Sequence, residues 1–232
     1  MTRARGAASV QVCRTRELGL GRQLRLRLDR ALPSGRSEFV VSPSNAEAVA
    51  AVDAWPAWPG GALALVGPAG VGKSHLAAIW AERAGAGLWV DGEAHARPVL
   101  LESADAAPQE ALFHLLNHAA EAGGLLLTAC TRPTAWPSAL PDLRSRLNAL
   151  HVAEIGEPDD AVLGVVLARL FAERSIRPPD DLIPYLLKRV ERSVPAARAL
   201  VEQLDEEAAA LHRPVTRALA REVLEASGEL FD

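Results

Sequence analysis

Short apolar runs alternate with stretches of helical period between residues 37 and 156. Ala62-Leu63-Ala64-Leu65-Val66 and Leu125-Leu126-Leu127-Thr128-Ala129 are almost wholly apolar, and a glycine pair precedes each. Each predicts a strand buried on both faces. Leu88-Trp89-Val90, Val99-Leu100-Leu101 and His151 to Ile155 predict three more. Ser44-Asn45-Ala46-Glu47 reads as a capping box opening a helix to about Trp55. Ser74 to Ala84 places Leu76, Ile79 and Trp80 on one helical face, and Pro108 to Ala122 does the same with Leu112, Leu115, Leu116 and Ala119. Pro141 to Leu147 predicts a short helix. Strands and helices alternating in this way specify a five-stranded parallel sheet with helices on both faces. Only eight residues separate Val90 from Val99. A parallel crossover normally takes a dozen or more, so the pairing of the Leu88–Val90 strand is the open question of the sheet.

The pattern changes after Gly156. No strand follows, and four helical patterns run roughly over 159–174, 181–192, 195–211 and 216–226. Arg177-Pro178-Pro179, Ser193 to Pro195 and Arg213-Pro214 separate them, and Thr216 suits a helix N-cap. Residues 157–232 therefore read as a small all-helical domain behind an α/β domain at 37–156. Phe39-Val40-Val41 is a short apolar run at the entry to that domain. Upstream, residues 1–22 have no sustained period, and Gln23-Leu24-Arg25-Leu26-Arg27-Leu28 alternates apolar and polar. Such alternation fits either an edge strand or an extended peptide that docks leucines in a partner's groove.

Charge divides the chain the same way. The net charge is −4, but residues 1–36 hold nine arginines against Glu17 and Asp29, which is +7 and leaves −11 for the rest. An acidic body argues against a broad nucleic-acid surface. No apolar run reaches membrane-spanning length, and the arginines at the start flank no secretory core. Cys13 and Cys130 have no metal-site spacing. Reduced thiols and a cytoplasmic location are expected.

The chemistry concentrates at Gly67-Pro68-Ala69-Gly70-Val71-Gly72-Lys73-Ser74, which fits the phosphate-binding loop (P-loop) pattern G-x-x-x-x-G-K-[ST]. Backbone N–H groups of such a loop wrap a polyphosphate, the lysine reaches the β- and γ-phosphates, and the serine hydroxyl holds Mg²⁺. The following helix directs its positive end at the same anion. The chain has two lysines, Lys73 and Lys188, against 23 arginines. It keeps a lysine where a compact ammonium is wanted among phosphates. ATP or ADP with Mg²⁺ is the expected cofactor.

A nucleoside triphosphatase also needs a carboxylate at the tip of a nearby strand. Glu102 supplies one, as a second metal-side ligand with Ser74. A second acid usually follows directly. Here that place is Ser103, and Asp105 is expected on a loop and out of register. Nucleotide binding is thus favoured over efficient self-hydrolysis. Thr128 and Thr131 are both candidates for a polar contact to the terminal phosphate at the end of the fourth strand. Leu143-Arg144-Ser145-Arg146-Leu147 puts two arginines near the domain border, where a guanidinium can serve a neighbour's γ-phosphate. Arg198 opens the third helix of the helical domain and suits a lid residue over the nucleotide.

Taken in order, Phe39-Val40-Val41-x-Pro43-Ser44-Asn45, Gly72-Lys73-Ser74-His75-Leu76, Glu110-Ala111-Leu112-Phe113-His114-Leu115-Leu116-Asn117, Leu143 to Leu147 and Arg198-Ala199-Leu200 resemble the AAA+ module of the bacterial replication initiator, DnaA, over about residues 37–226. The initiator's helix-turn-helix DNA-binding domain would follow, and none is expected here. The N-terminal Gln-Leu-x-Leu-x-Leu, with Trp-Pro-x-Trp-Pro before the loop, is similar to the regulatory inactivator of the initiator, the Hda family, in its alphaproteobacterial-type form. That resemblance implies a P-loop AAA+ αβα domain with a helical lid, ATP or ADP as ligand, and Gln23 to Leu28 binding the β sliding clamp. It also implies docking on ATP-bound initiator, with Arg146 as an arginine finger triggering hydrolysis there, Arg198 as sensor 2, and Thr128 or Thr131 at sensor 1. The alternative is a self-sufficient DnaA-related ATPase such as a helicase loader. Ser103 and the acidic body speak against it. A small-molecule kinase would need an acceptor base that the sequence does not offer.

Overall fold

Five strands form one parallel sheet in the order β2-β3-β4-β1-β5. They are β1 (Ala62–Val66), β2 (Gly87–Leu88), β3 (Val99–Leu101), β4 (Leu125–Ala129) and β5 (His151–Glu154). The computed structural model describes residues 35–36, 39–90, 97–226 and 228, all within the unit Pro33–Asp232. The clamp-like peptide at Gln23 to Leu28 lies outside the described residues. β1 and β4 pair from Ala62↔Leu125 to Val66↔Ala129, and every residue of both is buried.

Side chains alternate across the sheet, as a strand's period of two requires. Leu63, Leu65 and Leu126 pack with Val49, Val52, Leu76 and Trp80 from helices α1 (Ala46–Asp53) and α2 (Lys73–Ala84). Ala64, Leu125 and Leu127 pack on the other face with Leu112, Leu116, Leu143 and Leu147 from α3 (Gln109–His118) and α4 (Pro141–Ala149). The layered α/β architecture is the one the sequence predicts.

Several local expectations fail. β2 is shorter and one residue earlier than expected. It still pairs parallel to β3 through Gly87↔Val99 and Leu88↔Leu100. The compressed connection is thus tolerated by an edge strand of two residues, with Leu88 and Val90 left exposed. Residues 91–96 of the connection lie outside the described residues. The capping box at Ser44–Glu47 does not form. Asn45 is the N-cap residue of α1, and its buried side chain turns back along the chain. Asn45 Oδ1 accepts the Ser42 N–H at 2.9 Å and Nδ2 donates to the Val40 carbonyl at 2.9 Å. Asn45 therefore shapes the 40–45 segment instead of closing the helix end.

The helical domain has its own core. Leu163, Leu167 and Phe171 of α5 (Asp160–Glu173), Leu186 of α6 (Leu182–Leu187), Val201 and Leu204 of α7 (Val194–Leu211) and Leu224 of α8 (Arg217–Ala226) are fully buried together. α6 stops five residues short of the expected Arg192. Thr216 behaves as expected, its hydroxyl accepting the Leu219 N–H at 3.4 Å.

Asp159 caps α5, its Oδ1 accepting the Val162 N–H at 3.0 Å. That backbone bond holds its carboxyl below the ordinary 3.8; partial burial opposes it and the Ser42 hydroxyl assists it. A carboxyl depressed in the folded state stabilises the protein above its ordinary pKa, and the benefit disappears as pH falls through the folded value. Asp159→Ala is expected to cost about 1 kcal/mol at pH 7. The gap in melting temperature from the parent closes below about pH 4. Parallel thermal melts from pH 7 to pH 2.5 check both statements; a gap that persists unchanged at pH 2.5 rejects the assignment.

Candidate functional site

β1 ends at Val66, and the chain turns through Gly67 to Gly72 into α2. Ligands of parallel α/β sheets bind beyond the carboxyl ends of the strands, where this loop lies. Gly67 has φ +153°, and a Cβ there would sit 2.3 Å from the Ile155 carbonyl oxygen. Only glycine lets β1 run so close to the end of β5. Pro68 and Ala69 form the exposed tip, while Val71 is buried in the α1–α2 core. Lys73 Nζ donates to the Gly67 and Pro68 carbonyls at 2.8 and 2.6 Å, so its ammonium lies across the loop. Among the described residues, the amides of Gly72, Lys73 and Ser74 donate to no acceptor. Unsatisfied donors beside an ammonium at the start of a 12-residue helix suit a polyphosphate. Phe39 lies edge-on to His75 with ring centroids 5.3 Å apart, which brings the 39–41 segment against α2.

β4 lies between β1 and β3, so the loop and Glu102 are two strand spacings apart, roughly 10 Å. Glu102 is exposed at the end of β3 and lines an open cleft of about 350 Å³ with Trp89, Leu100, Ser103 and Pro108. Ser103 takes a left-handed conformation, φ 53° and ψ 46°, and sends the chain into a 3-10 turn at Ala104–Ala106. Two contacts tie this turn to β4. The Ser103 N–H donates to Thr128 Oγ1 at 3.3 Å, and the Cys130 N–H donates to Asp105 Oδ2 at 3.0 Å. Asp105 lies in the turn after β3, off the strand as the sequence suggests, and the left-handed Ser103 folds it back toward the end of β4. Thr128 is buried and level with Leu65. Thr131 is exposed beyond the strand, and its carbonyl accepts the Trp136 indole N–H at 3.0 Å.

The helical domain reaches the loop through the start of α7. The Val194 N–H donates to the Gly70 carbonyl at 3.2 Å, and the Ser193 hydroxyl caps the helix by accepting the Ala196 N–H at 3.2 Å. Arg198 lies four residues further along, about 6 Å of helix, and is half-buried. The sequence gives no sign of Val194 or Pro195 as neighbours of the loop. Their contact joins residues more than a hundred positions apart.

The two arginines of α4 part company. Arg144 is half-buried and donates to the carbonyls of Thr134 and Trp136 at 3.1 and 2.6 Å, holding the loop before its own helix. Arg146 is exposed, with its Cζ 5.8 Å from the centre of the Phe113 ring. Among the described residues no carboxylate pairs with it. α4 packs with α3 on the sheet face opposite α1 and α2. The structure therefore gathers Gly67 to Ser74, the start of α7 and the ends of β3 and β4 at one edge, and sets Arg146 on another layer.

A glycine loop between β1 and α2, a parallel sheet in this strand order and a helical bundle after the last strand make up the fold of P-loop AAA+ modules. The chain is similar to the replication initiator and, in fold, also to the Thermotoga maritima RuvB Holliday junction branch migration motor, which superposes with a TM-score of 0.65 at 16% identity over 84% of this chain and 72% of that one. A stretch of 120 residues is 28% identical to the chromosomal replication initiator protein DnaA of Thermomicrobium roseum, covering 50% of this chain and 25% of that protein. The chain thus spans about a quarter of the length of this curated relative. Domain III of the Thermotoga maritima replication initiation protein DnaA superposes with a TM-score of 0.68 at 16% identity, over 83% of this chain and 96% of that one. A replication initiator DnaA bound to AMPPCP and single-stranded DNA superposes with a TM-score of 0.57 at 17% identity, over 76% and 67%. No family model matches the chain. Among the described residues no helix is long and apolar enough to cross a membrane.

Proposed function

We propose that this chain is a nucleotide-binding AAA+ regulator of DNA replication initiation that acts on a partner's nucleotide. Gly67 to Ser74 hold the phosphates of ATP or ADP, with Lys73 turning from its loop carbonyls to the ligand and Arg198 closing from the lid. The Ser74 hydroxyl and the Glu102 carboxylate hold Mg²⁺. When bound, the metal supplies charge neutralisation at the phosphates. The reading is supported by the glycine geometry, by the free amides at the start of α2, and by the similar initiator that carries AMPPCP.

The observation that carries the partner-directed part is the division of labour on α4. Arg144 is committed to its own loop, while Arg146 stands in solvent, on another layer from the chain's own cradle and, among the described residues, without an acid to neutralise it. Docked on an ATP-bound initiator, Arg146 stabilises the charge that develops on the initiator's γ-phosphate. The Ser103 substitution at the second acid position fits a chain that turns over little nucleotide itself. Gln23 to Leu28 tether the regulator to the β sliding clamp, which confines its action to loaded clamps.

The test is a reconstituted assay of initiator-bound ATP hydrolysis with clamp loaded on DNA, with and without this protein. Stimulation that requires the clamp is expected. Gln23→Ala combined with Leu24→Ala should lose clamp pull-down and lower stimulation at least tenfold, with nucleotide binding untouched. Steady-state turnover near one per second by the protein alone, without stimulation of initiator, would instead mark a self-sufficient ATPase.

A further inference from the structure

We propose that Asp105 is a positioning residue that fixes the end of β4, and with it the Thr131 hydroxyl, for contact with the terminal phosphate of a bound nucleoside triphosphate. The proposal rests on the reading of Gly67 to Ser74 as a phosphate cradle.

Val66 and Ala129 are the last paired residues of β1 and β4. Cys130 therefore leaves β4 as Gly67 leaves β1, one strand spacing of roughly 4.8 Å away. Beyond that point the ladder ends, and the backbone of Cys130 and Thr131 has no strand partner to hold it. Two side chains take over. Asp105 Oδ2 accepts the Cys130 N–H at 3.0 Å, and the Trp136 indole N–H donates to the Thr131 carbonyl at 3.0 Å. Trp136 is almost wholly buried, so its end of the clamp is rigid. The other end depends on the turn that Ser103 opens. Ala104 is fully buried beneath that turn and anchors it.

The same turn decides between the two threonines. Thr128 Oγ1 already accepts the Ser103 N–H and is buried within the strand. Thr131 is exposed, its backbone is gripped on both sides, and its hydroxyl is uncommitted among the described residues. A hydroxyl presented at the strand end beside the cradle can donate to a γ-phosphate oxygen that a diphosphate lacks. Asp105 thus serves nucleotide discrimination through the backbone of Cys130, without touching the ligand.

The experiment compares fluorescent ATP and ADP analogues binding to the full chain, with hydrogen exchange of the peptide spanning 128–133 measured without nucleotide. Asp105→Ala is expected to weaken ATP-analogue binding about tenfold while leaving the ADP analogue within about twofold, the size of one charge-assisted hydrogen bond. Exchange at Cys130 should quicken in the same variant. Asp105→Asn keeps an acceptor oxygen and should recover most of both effects. Thr131→Val, at an exposed position, should reproduce the ATP-selective loss without the faster exchange. Equal loss of both nucleotides, or of neither, in Asp105→Ala and Thr131→Val overturns the proposal while leaving the cradle reading intact. Failure of the parent protein to bind either analogue overturns the cradle reading, and this proposal with it.

Discussion

Arg146→Ala is expected to abolish stimulation of initiator-bound ATP hydrolysis, a loss of roughly 10³-fold or more, since a guanidinium supplied in trans contributes 10³–10⁵ to such reactions. The effect is large because the group acts only where charge develops, and because a planar fork of donors cannot be replaced by water. Nucleotide affinity and melting temperature should barely change. Arg146 is exposed, and among the described residues its side chain meets an aromatic ring at 5.8 Å, worth on the order of 0.5–1 kcal/mol at such a site. Arg144→Ala provides the contrast. It removes donors from the Thr134 and Trp136 carbonyls, so it should lower stability by about 1–3 kcal/mol and leave stimulation largely in place when measured below its melting temperature. Lys in place of Arg146 keeps the charge but not the fork, and should recover little. Full stimulation by Arg146→Ala would remove the finger from Arg146 and the trans-acting reading with it.

These two arginines also mark where sequence reasoning stops. They lie two positions apart, between Leu143 and Leu147, which both point into the core. Each is one residue, about 100° of helical rotation, from a buried leucine. Helical phase therefore treats them alike, and only the path of the Thr134–Trp136 loop separates them. The sheet was legible for the opposite reason. β1 and β4 are buried on both faces, so their residues have to be apolar and their neighbours have to be turns. β2 was misplaced because a two-residue edge strand leaves no periodic trace. The capping box at Ser44 failed because Asn45 has partners upstream that a spacing rule does not see. The tie of Asp105 to the end of β4 is not legible in the sequence because it spans 25 residues and depends on one left-handed serine.

Gly70→Ala is expected to uncouple the lid from the phosphate loop. The P-loop pattern leaves this position open, so the motif alone does not explain the glycine. Gly70 has φ +77°, a conformation that costs an alanine roughly 1–2 kcal/mol. A Cβ there would also sit 2.6 Å from Pro195 Cδ and 2.9 Å from Cγ. Pro195 is a rigid ring in the first turn of α7, so the whole helix start has to retreat, at about 1–3 kcal/mol for such overpacking. Retreat also breaks the bond from the Val194 N–H to the Gly70 carbonyl. That bond orients the peptide between Gly70 and Val71, within the loop that would cradle phosphate. Nucleotide affinity should therefore fall at least tenfold, and melting temperature by several degrees. Pro195→Ala in the same chain removes the clash but not the backbone strain. The double variant should thus recover part of the loss, with a coupling energy above about 0.5 kcal/mol in a double-mutant cycle. Strict additivity would mean that the two residues do not meet, and a Gly70→Ala protein with parental affinity and melting temperature would mean that α7 does not hold the loop.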